Sequence, residues 1–120
     1  MTNQNDERLE TPLQFIRDNE AAYADAKAER IYLTEFRKTK KALLMNEAES
    51  KGRKTAQERE AYAYAHKDYQ GLLDGLRVAI ETEALIELGI ERARLSIDIW
   101  RTKQANERNE RNTYGANNGQ

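Results

Sequence analysis

A strict heptad repeat in the C-terminal half of the chain constrains its fold more than any other feature. Mostly apolar side chains recur there with alternating spacings of three and four residues, over more than four heptads. This spacing places them on one stripe of an α-helix, where they can pack along a second helix. Glu83 is the only charged member of the repeat. The repeat, here called the heptad seam, consists of Tyr69, Leu72, Leu76, Ala79, Glu83, Ile86, Ile90, Ala93, Ile97 and Trp100.

The first part of the chain supplies a partner helix for this seam. Thr11 suits the N-cap and Pro12 the first helical position, and no glycine or further proline follows before Gly52. The residues expected to face the seam keep the same alternation and are Ala22, Ala26, Leu33, Phe36 and Leu43. Gly52 can adopt the left-handed conformation that ends a helix, and Thr55 with Glu58 forms a capping-box pattern that starts another.

These signals predict an all-α fold, a long antiparallel helical hairpin of coiled-coil type with a short connecting helix, which self-associates into a bundle. We expect a single domain over 11–111. Its helices should span about 12–49, 56–66 and 68–111, with a kink near His66. The polar ends, 1–10 and 112–120, are expected to be disordered by composition.

Composition is consistent with an elongated helical protein and excludes several classes. Of the 120 residues, 34% are charged and 38% hydrophobic, which suits a narrow buried stripe better than a thick core. The chain has no cysteine, so disulfides and thiolate metal sites are excluded. The first ten residues have no apolar stretch, so we expect no signal peptide, and no apolar run in the sequence reaches the length of a membrane span. We therefore expect a soluble intracellular protein without membrane contact.

A second apolar stripe repeats on the side of the last helix away from the heptad seam. Exposed apolar stripes commonly mark interaction sites. Gly75 and Gly89, two heptads apart beside the seam, indicate that another backbone approaches closely. We expect homo-oligomerisation or docking of another protein here; the alternative is burial within a monomer by residues 55–66. This outer stripe consists of Val78, Leu85, Leu88, Leu95 and Ile99.

A basic cluster surrounds the predicted hairpin turn. It can follow a nucleic-acid backbone without reading bases, or it can complement the negative end of a helix and keep the helix soluble. The two interpretations stay open. Nearby Tyr62, Tyr64 and Tyr69 could stack unpaired bases or pack the end of the core. The basic cluster consists of Arg37, Lys38, Lys40, Lys41, Lys51, Arg53 and Lys54.

Catalytic constellations are missing from the sequence. His66 is the only histidine, and a lone histidine near a kink is usually structural. Carboxylate di-metal bundles need Glu-x-x-His pairs, which this chain does not contain. Its four glutamates between residues 81 and 91 are better interpreted as a solvated helix face, in which Glu83, at a seam position, sets the alignment of the paired helices. We expect no enzyme activity, metal, cofactor or small-molecule substrate.

Three segments resemble a group of small helical proteins of phages and prophages, which are often encoded among DNA replication and recombination genes. The segments are AERIYLTEFRKTKKALLMNEAE, TAQEREAYAYAHKDYQGLL and IDIWRTKQA, and the resemblance covers residues 28–106. It implies a bacteriophage setting, in the cytoplasm of the bacterial host, and a connection to DNA metabolism, but supplies no catalytic or binding residues. Lys67 stands where the group usually has a proline, in an HPEY-like junction.

Three functional hypotheses follow from these features. The first is a non-enzymatic phage accessory protein of DNA recombination or replication, which binds DNA backbone through the basic cluster and oligomerises through the outer stripe. The second is a protein-binding module that docks on a host or phage protein through the outer stripe. The third is an architectural coiled coil without a ligand.

Overall fold

The computed structural model describes the backbone of residues 4–118 and the side chains of 9–115. The described chain is helical apart from one turn and one junction. Helix α1 spans Gln4–Ser50, α2 spans Ala56–Ala65 and α3 spans Lys67–Asn118. The protein is therefore all-α, and the long helices α1 and α3 make a helical hairpin of coiled-coil type, as the sequence predicts. None of the three helices has the length and apolar character needed to cross a membrane.

The chain divides into two compact units. Unit 1 combines the chain up to Glu20 with the chain from Ile86 onward, and unit 2 contains Ala21–Leu85. Within unit 2 the helices run antiparallel, because Arg30 contacts Glu83 whereas Lys40, later in α1, contacts Asp68, earlier in α3. Within unit 1, the ring of Phe15 lies against Gly89.

The heptad seam of α3 is confirmed at every position. All ten of its members are buried or half-buried, while the residues between them are mostly exposed. The core of the protein is therefore a narrow stripe rather than a thick interior. It widens only where α1, α2 and α3 meet, in a cluster of Leu44, Ala63 and Tyr69 with Met45 and Leu73 packed against it.

The line of residues through which α1 contacts α3 is shifted by one residue from the prediction at several positions. Ala26 is buried and Leu33 and Phe36 are half-buried, as expected, but Ala22 and Leu43 are exposed. In place of Ala22 and Leu43, the next residues in the sequence, Tyr23 and Leu44, lie on the observed contact line of α1. It consists of Leu9, Pro12, Ile16, Asn19, Tyr23, Ala26, Arg30, Leu33, Arg37, Lys40, Leu44 and Glu47, all buried or half-buried. The prediction failed because it selected apolar residues, whereas this line includes several charged ones.

Glu83 and Arg30 form an ion pair inside the helix interface. Both Nε and Nη2 of Arg30 donate to the carboxylate, and the Nη2–Oε1 distance is 3.3 Å. The Glu83 side chain is 10% exposed and that of Arg30 is 34% exposed. A buried carboxylate is tolerated only when its charge is paired and its oxygens are hydrogen-bonded. The arginine of α1 therefore explains how the only acidic member of the heptad seam is accommodated.

The turn after α1 forms as predicted around Gly52. This glycine has φ +88°, and it is the only residue with positive φ in the described backbone. The N–H of Gly52 donates to the carbonyl of Glu49, and the N–H of Arg53 donates to the carbonyl of Ala48, both at 3.0 Å. These two bonds define a Schellman motif, which satisfies carbonyls that the helix end leaves without partners.

Helices α2 and α3 each begin with a side-chain cap. Thr55 Oγ1 accepts from the N–H of Glu58 at 3.1 Å, as the capping box predicts. The Glu58 carboxylate accepts from the N–H of Lys54, one residue before the expected donor. At the predicted kink, His66 has extended backbone angles, and its Nδ1 accepts from the N–H of Asp68 at 3.0 Å. His66 therefore acts as the N-cap of α3.

Both long helices extend beyond their predicted ends. Residues 4–10 belong to α1, so the helix begins before Pro12 rather than at it. Burial of Pro12 and partial burial of Leu9 continue the contact line in this direction, which favours helix despite the backbone hydrogen bond that proline removes. At the other end, residues 112–118 continue α3, where no proline interrupts it. The remaining residues predicted to be disordered, 1–3 and 119–120, lie outside the described residues.

Within the chain, the two glycines beside the heptad seam face side chains of α1 and not its backbone. A Cβ on Gly89 would lie 2.8 Å from Cζ of Phe15, so the glycine makes room for an aromatic ring. A Cβ on Gly75 would meet only the Leu33 side chain at an ordinary 3.9 Å. The contacts shown are therefore to side chains within the chain, and only Gly89 is sterically required.

The left-handed glycine at the turn gives a first prediction. Gly52→Ala should destabilise the protein by about 1–2 kcal/mol, because a Cβ disfavours positive φ. The control is Gly71→Ala, within α3, where a Cβ meets nothing within 4 Å and helix propensity should stabilise by up to about 1 kcal/mol. Urea unfolding at one protein concentration measures both changes. Equal effects of the two substitutions would contradict this account of the turn.

The buried ion pair gives a second prediction, an asymmetry between its partners. Arg30→Met should cost about 2–4 kcal/mol, since it leaves a buried carboxylate unpaired. Glu83→Leu should cost less, because the more exposed guanidinium can still reach water. The double substitution should be close to neutral or stabilising. Urea unfolding of the double-mutant cycle tests this, and a double variant as unstable as the sum of the singles would refute it.

Candidate functional site

Part of the basic cluster lies inside the helix interface instead of on an open surface. Arg37 and Lys40 occupy the contact line of α1 and are half-buried. The Lys40 ammonium lies 3.4 Å from the Asp68 carboxylate near the start of α3. Lys40 therefore helps to hold the end of the hairpin together, an arrangement that the sequence analysis did not anticipate.

Two further lysines of the cluster are paired with acids and tyrosines. Lys41 Nζ donates to Glu60 Oε1 at 3.1 Å and lies 4.8 Å from the centre of the Tyr64 ring. The Tyr64 side chain, and after it the Glu60 carboxylate, raises the pKa of Lys41 above its ordinary value. Lys51 likewise lies 5.5 Å from the centre of the Tyr62 ring, and this tyrosine raises its pKa. Both lysines therefore remain charged and are already partnered within the chain.

The rest of the cluster is exposed around the turn. Lys38 makes only a surface ion pair with Glu35, at 3.6 Å. Arg53 and Lys54 have no acidic side chain within ion-pair range among residues 9–115. An open depression of about 440 Å³ adjoins this region and is lined by Arg53, Glu58, Ala61, Tyr62, Ala65 and His66. Residues 35–68 contain nine cations and six anions, so the hairpin end keeps a net charge of +3.

The three tyrosines are not equally available to a ligand. Tyr69 is 7% exposed and belongs to the core, so its ring is not accessible for the base stacking considered above. The ring of Tyr64 packs against that of Tyr69 with centroids 5.4 Å apart and is also covered by Lys41. The ring of Tyr62 has Lys51 and His66 as neighbours. Packing at a helix junction, the alternative interpretation, describes these side chains better.

His66 has the structural role that a lone histidine at a kink usually has. In addition to capping α3, its Nε2 lies 3.6 Å from the Glu47 carboxylate. Nδ1 accepts the cap hydrogen bond and is therefore unprotonated in this arrangement. Among the described residues, no group of three or more histidine and acidic side chains has the geometry to hold a metal ion.

The outer stripe is exposed along α3. Its five side chains retain between 54% and 64% of their accessible surface, so neither α1 nor the 55–66 segment covers them. The exposed face of α1 has no such regular stripe: between residues 18 and 49 its exposed large side chains of apolar character are Ile31, Tyr32 and Leu43, which are not at heptad spacing. The stripe is therefore not a general property of the solvent-exposed faces of these helices. Burial within a monomer, the alternative interpretation, is not what the structure shows.

Sequence reasoning missed the acids that pair with the basic cluster. Glu60 belongs to α2 and Asp68 to α3, so neither is near the lysines in sequence. Only folding α2 and α3 back onto α1 brings them together. The capping box and the predicted kink were the available signals, since they fix where α2 begins and ends.

Comparison of the chain with models of protein families, with curated proteins and with solved structures finds no match.

Proposed function

We propose that this chain is a non-enzymatic helical accessory module that acts by docking on another protein chain through the outer stripe of α3. The observation that supports this most directly is the exposure of five large apolar side chains at regular spacing on one helix face. Transferring such side chains from water into a helix interface is favourable by about 25 cal/mol per Å² of apolar surface buried. The resemblance described above makes bacteriophage replication or recombination, in the cytoplasm of the host, the proposed setting.

The fold also favours docking over chemistry. An open surface on a long helix excludes little water, whereas a catalytic site needs enclosure around its reacting groups. Helix faces with apolar residues at heptad spacing are a common means of recognising another helix. The partner surface should therefore be helical and apolar.

A second candidate function is sequence-tolerant binding of nucleic-acid backbone at the hairpin end. The observation that favours it is the net charge of +3 over residues 35–68, with Arg53 and Lys54 exposed at the turn. Lys40 and Lys41 are poor candidates for this role because Asp68 and Glu60 already pair with them. The binding residues on this hypothesis are Lys38, Arg53 and Lys54, and the ion-paired lysines are structural.

Docking through the outer stripe predicts a position-specific cross-link. A photoreactive phenylalanine analogue at Leu88 or Leu95, in full-length protein in infected cells, should give a discrete protein adduct. The control is the same analogue at Ala28, on the outward side of α1, where no apolar stripe is present. A defined adduct at both stripe positions and none at the control supports the proposal. Equal labelling at all three positions, or no adduct at the stripe, rules it out.

Backbone binding predicts a salt-dependent interaction that uses the exposed cations. Fluorescence anisotropy on single- and double-stranded oligonucleotides should show affinity falling with salt, by a slope of about −0.9 per neutralised duplex phosphate. The substitution Lys38→Gln with Arg53→Gln and Lys54→Gln should reduce that slope by about two to three. The control is Lys27→Gln, which removes an exposed cation of α1 distant in sequence from the turn. Affinity that is absent or insensitive to salt, or that the triple variant retains, refutes this second function.

A further inference from the structure

We infer that the partner of the outer stripe is a second copy of this chain, bound with the two α3 helices antiparallel. This inference rests on the proposed function, since it identifies the protein that docks on the same surface. It is carried by the charges in and beside the stripe. Because α3 is one uninterrupted helix, helical spacing alone places these charges relative to one another.

Two charged residues occupy stripe positions between the apolar ones. Glu81 lies between Val78 and Leu85, and Arg92 lies between Leu88 and Leu95. Both side chains are exposed. Neither makes an ion pair with another of the side chains at residues 9–115. An acid therefore lies in the first half of the stripe and a base in the second half.

Antiparallel pairing of two copies matches these charges. If Leu85 faces Leu88 of the second copy, Val78 faces Leu95 of that copy and Glu81 faces its Arg92. A two-fold axis repeats each contact, because in such an interface every pair of residues occurs twice. The result is six consecutive layers, four apolar and two ionic. Ile99 falls one layer beyond them, opposite Asp74 of the second copy, so it contributes least.

Parallel pairing would place like charges together. Glu81 would then face Glu81 of the second copy, and Arg92 would face Arg92. Like charges across a helix interface select against an orientation, as do those at the edges of coiled coils. The stripe is therefore asymmetric in a way that distinguishes the two orientations.

The residues that flank the stripe show the same asymmetry. On one side, Arg77 precedes the midpoint, whereas Glu91 and Asp98 follow it. Antiparallel pairing brings Arg77 of one copy to this acidic end of the other. On the opposite side the flanking residues are small and uncharged, so they introduce no like-charge contact in this pairing. They are Gly75, Thr82, Gly89 and Ser96.

Cysteine cross-linking tests the orientation directly, because the parent chain contains no cysteine. Val78→Cys and Leu95→Cys proteins, oxidised separately, should remain uncross-linked, since residues 78 and 95 lie about 25 Å apart along the helix. Oxidised as a mixture, they should give a disulfide dimer of the two variants. Self-cross-linking of each variant alone would show parallel pairing and overturn the inference. So would a mixture of Val78→Cys with Ala28→Cys that cross-links equally well.

Charge exchange provides an independent test in solution. Glu81→Arg and Arg92→Glu should each weaken self-association of the full chain by about tenfold or more in sedimentation velocity, because each creates two like-charge contacts. Mixing the two variants should restore association, since both contacts then join opposite charges. Circular dichroism should be unchanged, as both positions are exposed. Failure of the mixture to recover overturns the inference.

The two proposals can fail separately. A parent protein that is monomeric at 100 µM, yet gives a Leu88 adduct to a different protein in cells, refutes self-pairing and retains docking. An adduct of twice the chain mass, together with the mixed-cysteine dimer, supports both. Loss of the stripe-specific adduct altogether rejects the proposed function and the inference that rests on it.

Discussion

The structure depends on one narrow line of contact between α1 and α3. Each helix contributes about two residues per heptad to it, and nearly all burial in the described chain occurs there. A short protein with 34% charged residues has few apolar side chains, and placing them on a single stripe of each helix allows them to be buried. The consequence is that charged side chains must share the line. Arg30, Arg37 and Lys40 do so, and Glu83 pairs with Arg30 and Asp68 with Lys40.

The hairpin end illustrates how local signals and long-range pairing combine. Gly52 ends α1, Thr55 starts α2 and His66 joins α2 to α3, each through backbone or capping hydrogen bonds between neighbouring residues. These short-range features position Glu60 and Asp68 beside the lysines of α1. The basic cluster consequently has two parts: an inner part that stabilises the junction and an outer part, at the turn, that remains accessible.

The degree to which the sequence predicted the structure followed the type of signal. The heptad seam of α3 was predicted completely, because its members are apolar and their spacing is regular. The line of α1 was predicted only in part, because Arg37 and Leu44 occupy positions that an apolar pattern assigns to Phe36 and Leu43. Helix ends were predicted well where a cap exists, at Gly52 and Thr55, and poorly at the two polar ends. At the candidate site, exposure of the outer stripe followed from its phase relative to the seam and burial of Tyr69 from its place in that seam, whereas pairing of Lys41 depended on contacts between distant segments.

The contact between Phe15 and Gly89 has a consequence for how the helices select their alignment. Sliding α1 by seven residues along α3 would still satisfy Glu83, because Arg37 would take the place of Arg30. The same shift would put Ala22 opposite Gly89, leaving a hollow where the phenyl ring now lies. Considered at Glu83 alone, electrostatics would accept both alignments, but the shifted one would also bring Glu47 to the place of Lys40, beside Asp68. The phenyl ring of Phe15 fits the missing side chain of Gly89, so shape adds to this like-charge contact in distinguishing neighbouring heptads.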